Sequence, residues 1–357
     1  METIHVVEPT LVSETGHCYS FINSLCQASR DVHLNLWVNR AASVSFNNTN
    51  VQITQHFNRR IRRLQCYFLY KKLLRSTGKL FISTASISDL MLLNWAARGR
   101  VERNKAYLYF HWLNMSEQKF SYLKNLAQSQ PNFILLAPTP TIVKVFVEAG
   151  FDNAHIIPYP ISTQNLANVV EHKEFSGLLY AGAARQDKGI SHVVDFLEYM
   201  NNLGLKIPFK LQNSANHHGE YDAATKADMQ RLDKLNYPYL QCVSETLDVK
   251  QYANQFAGMI CIQLYDSILF ADRISGVTLD ALSAGCPIVT TAGSWIARMV
   301  QRFDAGVVVD SAAPQSVLAA IETIVAHYAQ YQQNASEAGV VLQHENNAEI
   351  LYKALAS

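Results

Sequence analysis

Short apolar runs recur along the chain, separated by stretches whose apolar residues return every third or fourth position. IHVVEP (4–9), HLNLWV (33–38), KLFIST (79–84), AYLYFHW (106–112), FILLAP (133–138) and HIIPYPI (155–161) read as strands. CYSFINSLCQA, after the first run, and DLMLLNWAAR, between the third and fourth, have helical spacing. A second series opens with GLLYAG (177–182), passes through a helix at 190–203, and adds PFKLQ, MICIQL and PIVTT as strands. Strands alternating with helices predict parallel sheets covered by helices on both faces. Two such series predict an α/β protein of two Rossmann-like, doubly wound domains facing a cleft.

The break between the series falls in PYPISTQNLANVVEHKEF, where Pro158 and Pro160 favour extended backbone and the following residues are polar and weakly periodic. The expected first domain is therefore 1–165 and the second 166–340. A length of 357 residues suits two domains. With 49% apolar residues and a formal net charge of +1, the composition is that of an ordinary globular protein and argues against nucleic-acid binding. Six cysteines without CxxC or zinc-like spacing read as reduced thiols of a cytoplasmic chain. METIHVVEP has no signal-peptide pattern, and no run is long enough to span a membrane.

In open α/β sheets, ligands bind where strands lead into helices, so those loops hold the candidate chemistry. SETGHCYS (13–20) places Gly16 before a helix; this is a plain turn or a close backbone approach to an anion. AGAARQDKGI (181–190) gathers Gly182, Arg185, Lys188 and Gly189 before another helix. It is a solvated loop, or a diphosphate clamp with Arg185 as a planar fork and Lys188 as a point charge. ADRISGVTLDALSAGCPIVT (271–290) holds Asp272 and Asp280, seven residues apart, around a helix start at Ser275 and Gly276. Backbone amides there can hold phosphate. An aspartate inside an apolar helix is disfavoured by propensity, and a ligand hydroxyl is one reason for it.

With these residues together, the chain resembles the family 4 retaining nucleotide-sugar glycosyltransferases, whose two Rossmann domains form the GT-B fold. LLYAGAARQDKG resembles the family's strand–G-R-x(4)-K-G–helix motif, with Ala183 at the usual arginine and Arg185 two residues later. Asp272-RISGVTL-Asp280-ALSAGCPIVTT resembles its paired glutamates, again seven residues apart, and the A-x-G-x-P-V-V that follows. The resemblance implies that Lys188 and Arg185 bind the donor diphosphate, that Asp280 accepts ribose hydroxyls, and that Asp272 contacts the donor sugar. It places Ile274, Ser275, Gly276 and Val277 along sugar and β-phosphate, and Gly16 and Gly182 in the loops around the diphosphate. His111 in LYFHWLN matches a histidine that touches the donor sugar; without the resemblance it reads as a buried histidine hydrogen-bonded in the core. Both acids are aspartate here, reaching about 1.5 Å less than glutamate, and Asp266 is an alternative to Asp272. Residues 341–357 are expected to form a helix crossing back to the first domain.

The implied reaction moves a sugar from a nucleoside diphosphate sugar to a glycan or lipid-linked glycan, without cofactor or metal. A bacterial surface polysaccharide or lipopolysaccharide pathway is the expected setting. Arg185, Lys188 and the amides at 275–277 would stabilise the leaving diphosphate, and His111 and Asp272 would act at the sugar. Alternatives are a hydrolysing nucleotide-sugar epimerase and a catalytically inactive nucleotide-sugar-binding homologue. A dinucleotide dehydrogenase lacks its G-x-G-x-x-G run here. One stretch points to a further partner. FNRRIRRLQCYFLYKKLLRSTGK (57–79) has eight basic residues, Lys79 included, and no acid, with Ile61, Leu64 and Phe68 at helical spacing. It is a solvated basic helix, or a surface for an anionic membrane at the inner face of which the enzyme would work.

Overall fold

The computed structural model describes residues 2–14, 16–161, 173–214, 221–245 and 247–357. They contain two sheets. The first is built from β1 (Glu2–Glu8), β2 (Val32–Asn39), β3 (Val51–Phe57), β4 (Lys79–Ile82), β5 (Ala106–Tyr109), β6 (Ile134–Ala137) and β7 (Ala154–Ile156), in the order β3-β2-β1-β4-β5-β6-β7. The second uses β8 (Gly177–Tyr180), β9 (Phe209–Gln212), β10 (Leu240–Val243), β11 (Met259–Gln263), β12 (Ile288–Thr291) and β13 (Gly306–Val309), in the order β10-β9-β8-β11-β12-β13. Neighbouring strands are parallel throughout both sheets.

The inner strands β4, β5, β6, β8 and β11 are buried at every position. That is why they read as nearly continuous apolar runs: a parallel strand covered on both faces has no solvent side. Three strands the periodicity does not reveal, β3, β10 and β13, all lie at sheet edges. VQITQHF of β3 is half exposed and mostly polar, and LQCV of β10 and GVVV of β13 each keep two or more positions partly or fully exposed, so none of them stands out as a buried strand.

The order reverses between β1 and β4 in the first sheet and between β8 and β11 in the second. Loops leaving the two strands at such a point turn to opposite faces and leave a crevice between them. The loops after β1, β4, β8 and β11 therefore frame the places where a ligand can be held.

Residues 2–161 and 345–357 form one compact unit, and 173–344 the other. The expected boundary at residue 165 lies outside the described residues. The last helix, Ala348–Ala356, packs on the first unit, and polar ties hold it there, among them the Asp31 amide donating to the Tyr352 hydroxyl at 3.2 Å. Arg30 pairs with Glu349 at 3.0 Å. Lys79, buried at the start of β4, donates to the Leu355 carbonyl at 2.9 Å and pairs with Glu2 at 3.3 Å. Lys79 thus belongs to the interior and not to the basic surface of residues 57–79. Among the described residues no helix is long and apolar enough to cross a membrane.

Replacing Lys79 with methionine leaves the Leu355 carbonyl without its ammonium donor, a loss of about 1–3 kcal/mol. Amide exchange in Ala348–Ala356 should quicken in Lys79→Met while the second unit is unchanged; unaltered exchange in that helix would show that the tie contributes nothing.

Candidate functional site

In the second unit, β8 ends at Tyr180, and the chain turns through Gly182 into a short 3-10 turn, Gln186–Lys188, before the helix Ile190–Asn202. Two glycines make this path feasible. Gly182 has φ of +94°, and a Cβ there would come within 2.9 Å of Lys188 Nζ. Gly189 has φ of +73°, and a Cβ there would lie 1.9 Å from the Leu264 carbonyl oxygen at the end of β11. The turn is therefore pressed against the neighbouring strand, and Lys188 lies directly over Gly182. The Gly182 amide donates to Gln212 Oε1 at 2.7 Å, which fixes the loop to β9.

Three cations gather around one carboxylate here. Arg185 meets Asp187 as a fork, with Nε 2.8 Å from Oδ1 and Nη2 on Oδ2. Arg273, from the loop after β11, places Nη1 3.3 Å from the same Oδ2 and lies over the Phe270 ring at 4.7 Å. Lys188 Nζ stands 5.7 Å from the centre of the Tyr265 ring. Burial, then the charges of Arg185 and Arg273, bring the Lys188 ammonium down to about 8, with Asp187 opposing. Burial and Arg185 likewise lower the Arg273 guanidinium. Among the described residues Asp187 is the carboxylate that pairs with both Arg185 and Arg273, and a neighbourhood this rich in cations suits an anion.

The helix Gly276–Ser283 starts beside β11. Ser275 caps it, its Oγ accepting from the Thr278 amide at 3.3 Å, and Thr278 Oγ1 donates to the buried Gln263 Oε1 at 2.6 Å. The helix start is thereby fixed to the last residue of β11. Val277, Leu279, Ala281 and Leu282 are buried, Ile274 is half-buried, and Gly276 faces open space. Asp280 is half-buried within this helix and accepts from the Tyr252 hydroxyl at 3.1 Å. Burial raises its carboxyl to about 6, against the Tyr252 hydrogen bond and the Lys188 charge.

The other two acids are differently employed. Asp266 is exposed, and its Oδ1 accepts from the amides of Ile268 and Leu269, both at 2.9 Å, closing a turn. Asp272 pairs with Arg298 at 3.0 Å, and Arg298 also donates to the Ala271 carbonyl at 2.7 Å. The structure thus brings Gly182, Arg185, Lys188 and Asp280 into one neighbourhood, with Asp272 held toward the helix Trp295–Phe303.

In the first unit, Gly16 opens the helix Gly16–Ala28 with φ of +82° and is exposed. His111 lies two residues beyond β5. Its Nε2 is 2.8 Å from the Ser83 carbonyl, which can only accept, so that nitrogen carries a proton. The rings of Phe21, Tyr109 and Tyr159 surround it at 4.9, 5.0 and 5.5 Å, and that of His17 lies at 6.2 Å. Ser83 Oγ donates to the buried Glu8 carboxylate at 2.7 Å, and burial raises the Glu8 carboxyl. His111 is thus tied through Ser83 to the end of β1.

Sequence left Arg273 to pair with Asp272 or touch phosphate, and the structure pairs it with Asp187; Asp187, Tyr252 and Glu8 were not assigned by sequence. Asp187 lies inside the A-R-Q-D-K-G run, where its spacing from Arg185 is a visible signal. Tyr252 and Glu8 meet their partners only through the tertiary fold. Among the described residues no three His, Cys, Asp or Glu side chains are placed to hold a metal ion.

A scan of known protein families finds no match, nor does a search of curated proteins. Solved structures do match over the whole chain. HepE (Alr3699) of Anabaena, in complex with UDP and glucose, matches with a TM-score of 0.69 at 13% identity, over 99% of this chain and 98% of that one. The trehalose-6-phosphate synthase OtsA matches with 0.72 at 11% identity, over 100% and 99%. WaaG, a glycosyltransferase involved in lipopolysaccharide biosynthesis, matches with 0.70 at 11% identity, over 99% and 100%. At such identities the likeness shows the fold, which is GT-B.

The Asp280 shift has a consequence for stability. Between its ordinary value of 3.8 and about 6 the folded chain holds a proton that the unfolded chain has lost, so stability falls as pH rises through that window. Asp280→Asn should therefore raise the melting temperature of the ligand-free protein at about pH 7.5, by the equivalent of about 1–3 kcal/mol. The gain should vanish toward about pH 4. A variant that melts lower at neutral pH would contradict a carboxylate held at a cost.

Proposed function

We propose that this GT-B protein is a retaining glycosyltransferase, moving a sugar from a nucleoside diphosphate sugar to a glycan or lipid-linked glycan acceptor in surface polysaccharide or lipopolysaccharide synthesis. The observation that carries the reading is the convergence of Arg185, Lys188 and Arg273 around Asp187, beside the start of the helix Gly276–Ser283. HepE is seen with UDP-glucose, and WaaG acts in lipopolysaccharide biosynthesis, which supports the same donor class and setting.

Each residue has a task in this chemistry. The donor's diphosphate binds to Lys188, Arg185 and Arg273 and to the amides of Ser275, Gly276 and Val277, with Ile274 and Gly182 alongside. As the bond from the anomeric carbon to phosphate oxygen breaks, negative charge grows on the diphosphate, and these groups stabilise it without reorganising. Three side-chain cations can supply the charge for which other enzymes use a metal. Asp280 accepts from the ribose hydroxyls, and Tyr252 orients its carboxylate. The acceptor oxygen bonds to the anomeric carbon on the face the diphosphate leaves, its proton passing to the departing phosphate oxygen, so the configuration is retained. His111, held by Ser83, contacts the donor sugar, and the backbone at Gly16 approaches the diphosphate.

The pairing of Asp272 with Arg298 favours one second reading, a catalytically inactive homologue that binds nucleotide sugars. Turnover separates the two.

A thermal-shift panel of UDP-, GDP-, ADP- and CDP-sugars should identify one donor, stabilising by about 2.7 kcal/mol at a hundred times its Kd. Lys188→Ala and Arg273→Ala should each weaken binding by about 1.5–3 kcal/mol, the range for a charge-assisted hydrogen bond. No shift with any nucleotide sugar would overturn the assignment. His111→Ala should lower kcat far more than donor affinity; full activity in that variant would leave the histidine a packing role.

A further inference from the structure

The basic stretch that sequence analysis singled out has no part in the donor site, and its exposed surface has a definite pattern. The helix Arg62–Leu73 buries Cys66, Leu69, Tyr70 and Leu73 against the first unit's core. This stripe satisfies the ordinary need of an amphipathic helix for one buried face. A second apolar stripe, roughly opposite, faces outward. Ile61, Leu64 and Phe68 are 52%, 57% and 58% exposed, and they follow one another at spacings of three and four. Phe68 also forms a wall of a cavity of about 280 Å³ with Trp37 and Leu69, so the apolar surface continues past the helix.

Arginines border this stripe. Arg59, Arg60, Arg62, Arg63 and Arg75 are all exposed, and among the described residues none of them forms an ion pair. Lys72, also exposed, lies 5.4 Å from the Trp37 ring. Exposed apolar side chains set among unpaired cations fit a surface that is anionic outside and apolar just beneath. A nucleic acid would use the arginines but would give Ile61 and Leu64 nothing apolar to enter.

We propose that the outer face of Arg62–Leu73, with Arg59–Ile61 before it, docks on an anionic lipid bilayer. The arginines meet the headgroups, and Ile61, Leu64 and Phe68 enter the boundary between headgroups and acyl chains. The proposal goes beyond the transferase reading and does not depend on it, because docking needs neither nucleotide nor acceptor.

The 357-residue chain, without nucleotide, is sedimented with vesicles of phosphatidylcholine alone and of phosphatidylcholine mixed with phosphatidylglycerol. It should bind the mixed vesicles, more weakly as salt rises, and leave the neutral ones. Each arginine removed should weaken binding about fivefold. The combined change of Arg59, Arg60, Arg62 and Arg63 to glutamine should therefore weaken it by about a hundredfold or more. Leu64→Ser with Phe68→Ser, charges intact, should weaken it about tenfold or more. All six side chains are exposed, so melting temperatures should stay at the wild-type value and certify folding. Equal binding to neutral vesicles, wild-type binding by the glutamine variant, or binding to single-stranded RNA in place of vesicles would overturn the proposal.

Discussion

The carboxylate of Asp187 is what allows Arg185, Arg273 and Lys188 to occupy one small region of the second unit. It receives a guanidinium from each of the loops that follow β8 and β11, the two strands between which the sheet order reverses. Without it, three cations in partly dehydrated surroundings would repel one another and draw in water. With it, one negative charge holds the two loops together. The close approach of Gly189 to the Leu264 carbonyl and the fastening of the Gly276–Ser283 helix to Gln263 serve the same arrangement, since they bring the Lys188 turn and the helix start to the end of one strand.

Two titrating groups are held in this region away from their ordinary values and in opposite senses. Burial lowers the Lys188 ammonium to about 8 and raises the Asp280 carboxyl to about 6. Each charged form is therefore disfavoured in the empty protein, although each partly supports the other. A ligand that brings an anion to Lys188 and hydroxyl donors to Asp280 relieves both, so the cost in stability becomes selectivity for something carrying both groups. The first unit spends polar groups differently. Ser83 links Glu8 at the end of β1 to His111 beyond β5, and aromatic rings fix the imidazole plane. Its basic helix buries one stripe and exposes another, a pattern that its own fold does not require.

The inner strands were legible in the sequence because burial on both faces leaves mainly apolar residues there. β3, β10 and β13 were not, because an edge strand touches one neighbour and keeps positions exposed, so polar or weakly patterned segments are tolerated. The same contrast holds at the site. Lys188, Arg185 and Asp280 stood out through local context: glycines around a cation-rich turn, and an acid within an apolar helix. Arg273 was visible as a charge beside Asp272, but its partner, 86 positions away at Asp187, was not. Lys79 shows the opposite failure, counted with the basic surface by adjacency yet drawn inside by the Leu355 carbonyl.

By itself, then, the sequence determined the alternation of strand and helix, the division into two parallel-sheet units, and which loops carry cations, glycines and acids. These follow from backbone periodicity and local chemistry, which act within a few residues. Only the tertiary structure decided which charges meet: that Arg185 and Arg273 share Asp187, that Asp272 goes to Arg298, and that Tyr252 holds Asp280. It also decided which of two apolar stripes of Arg62–Leu73 is buried. An ion pair or a buried face depends on distance and dehydration in space, and sequence spacing does not carry those across the long connections between parallel strands.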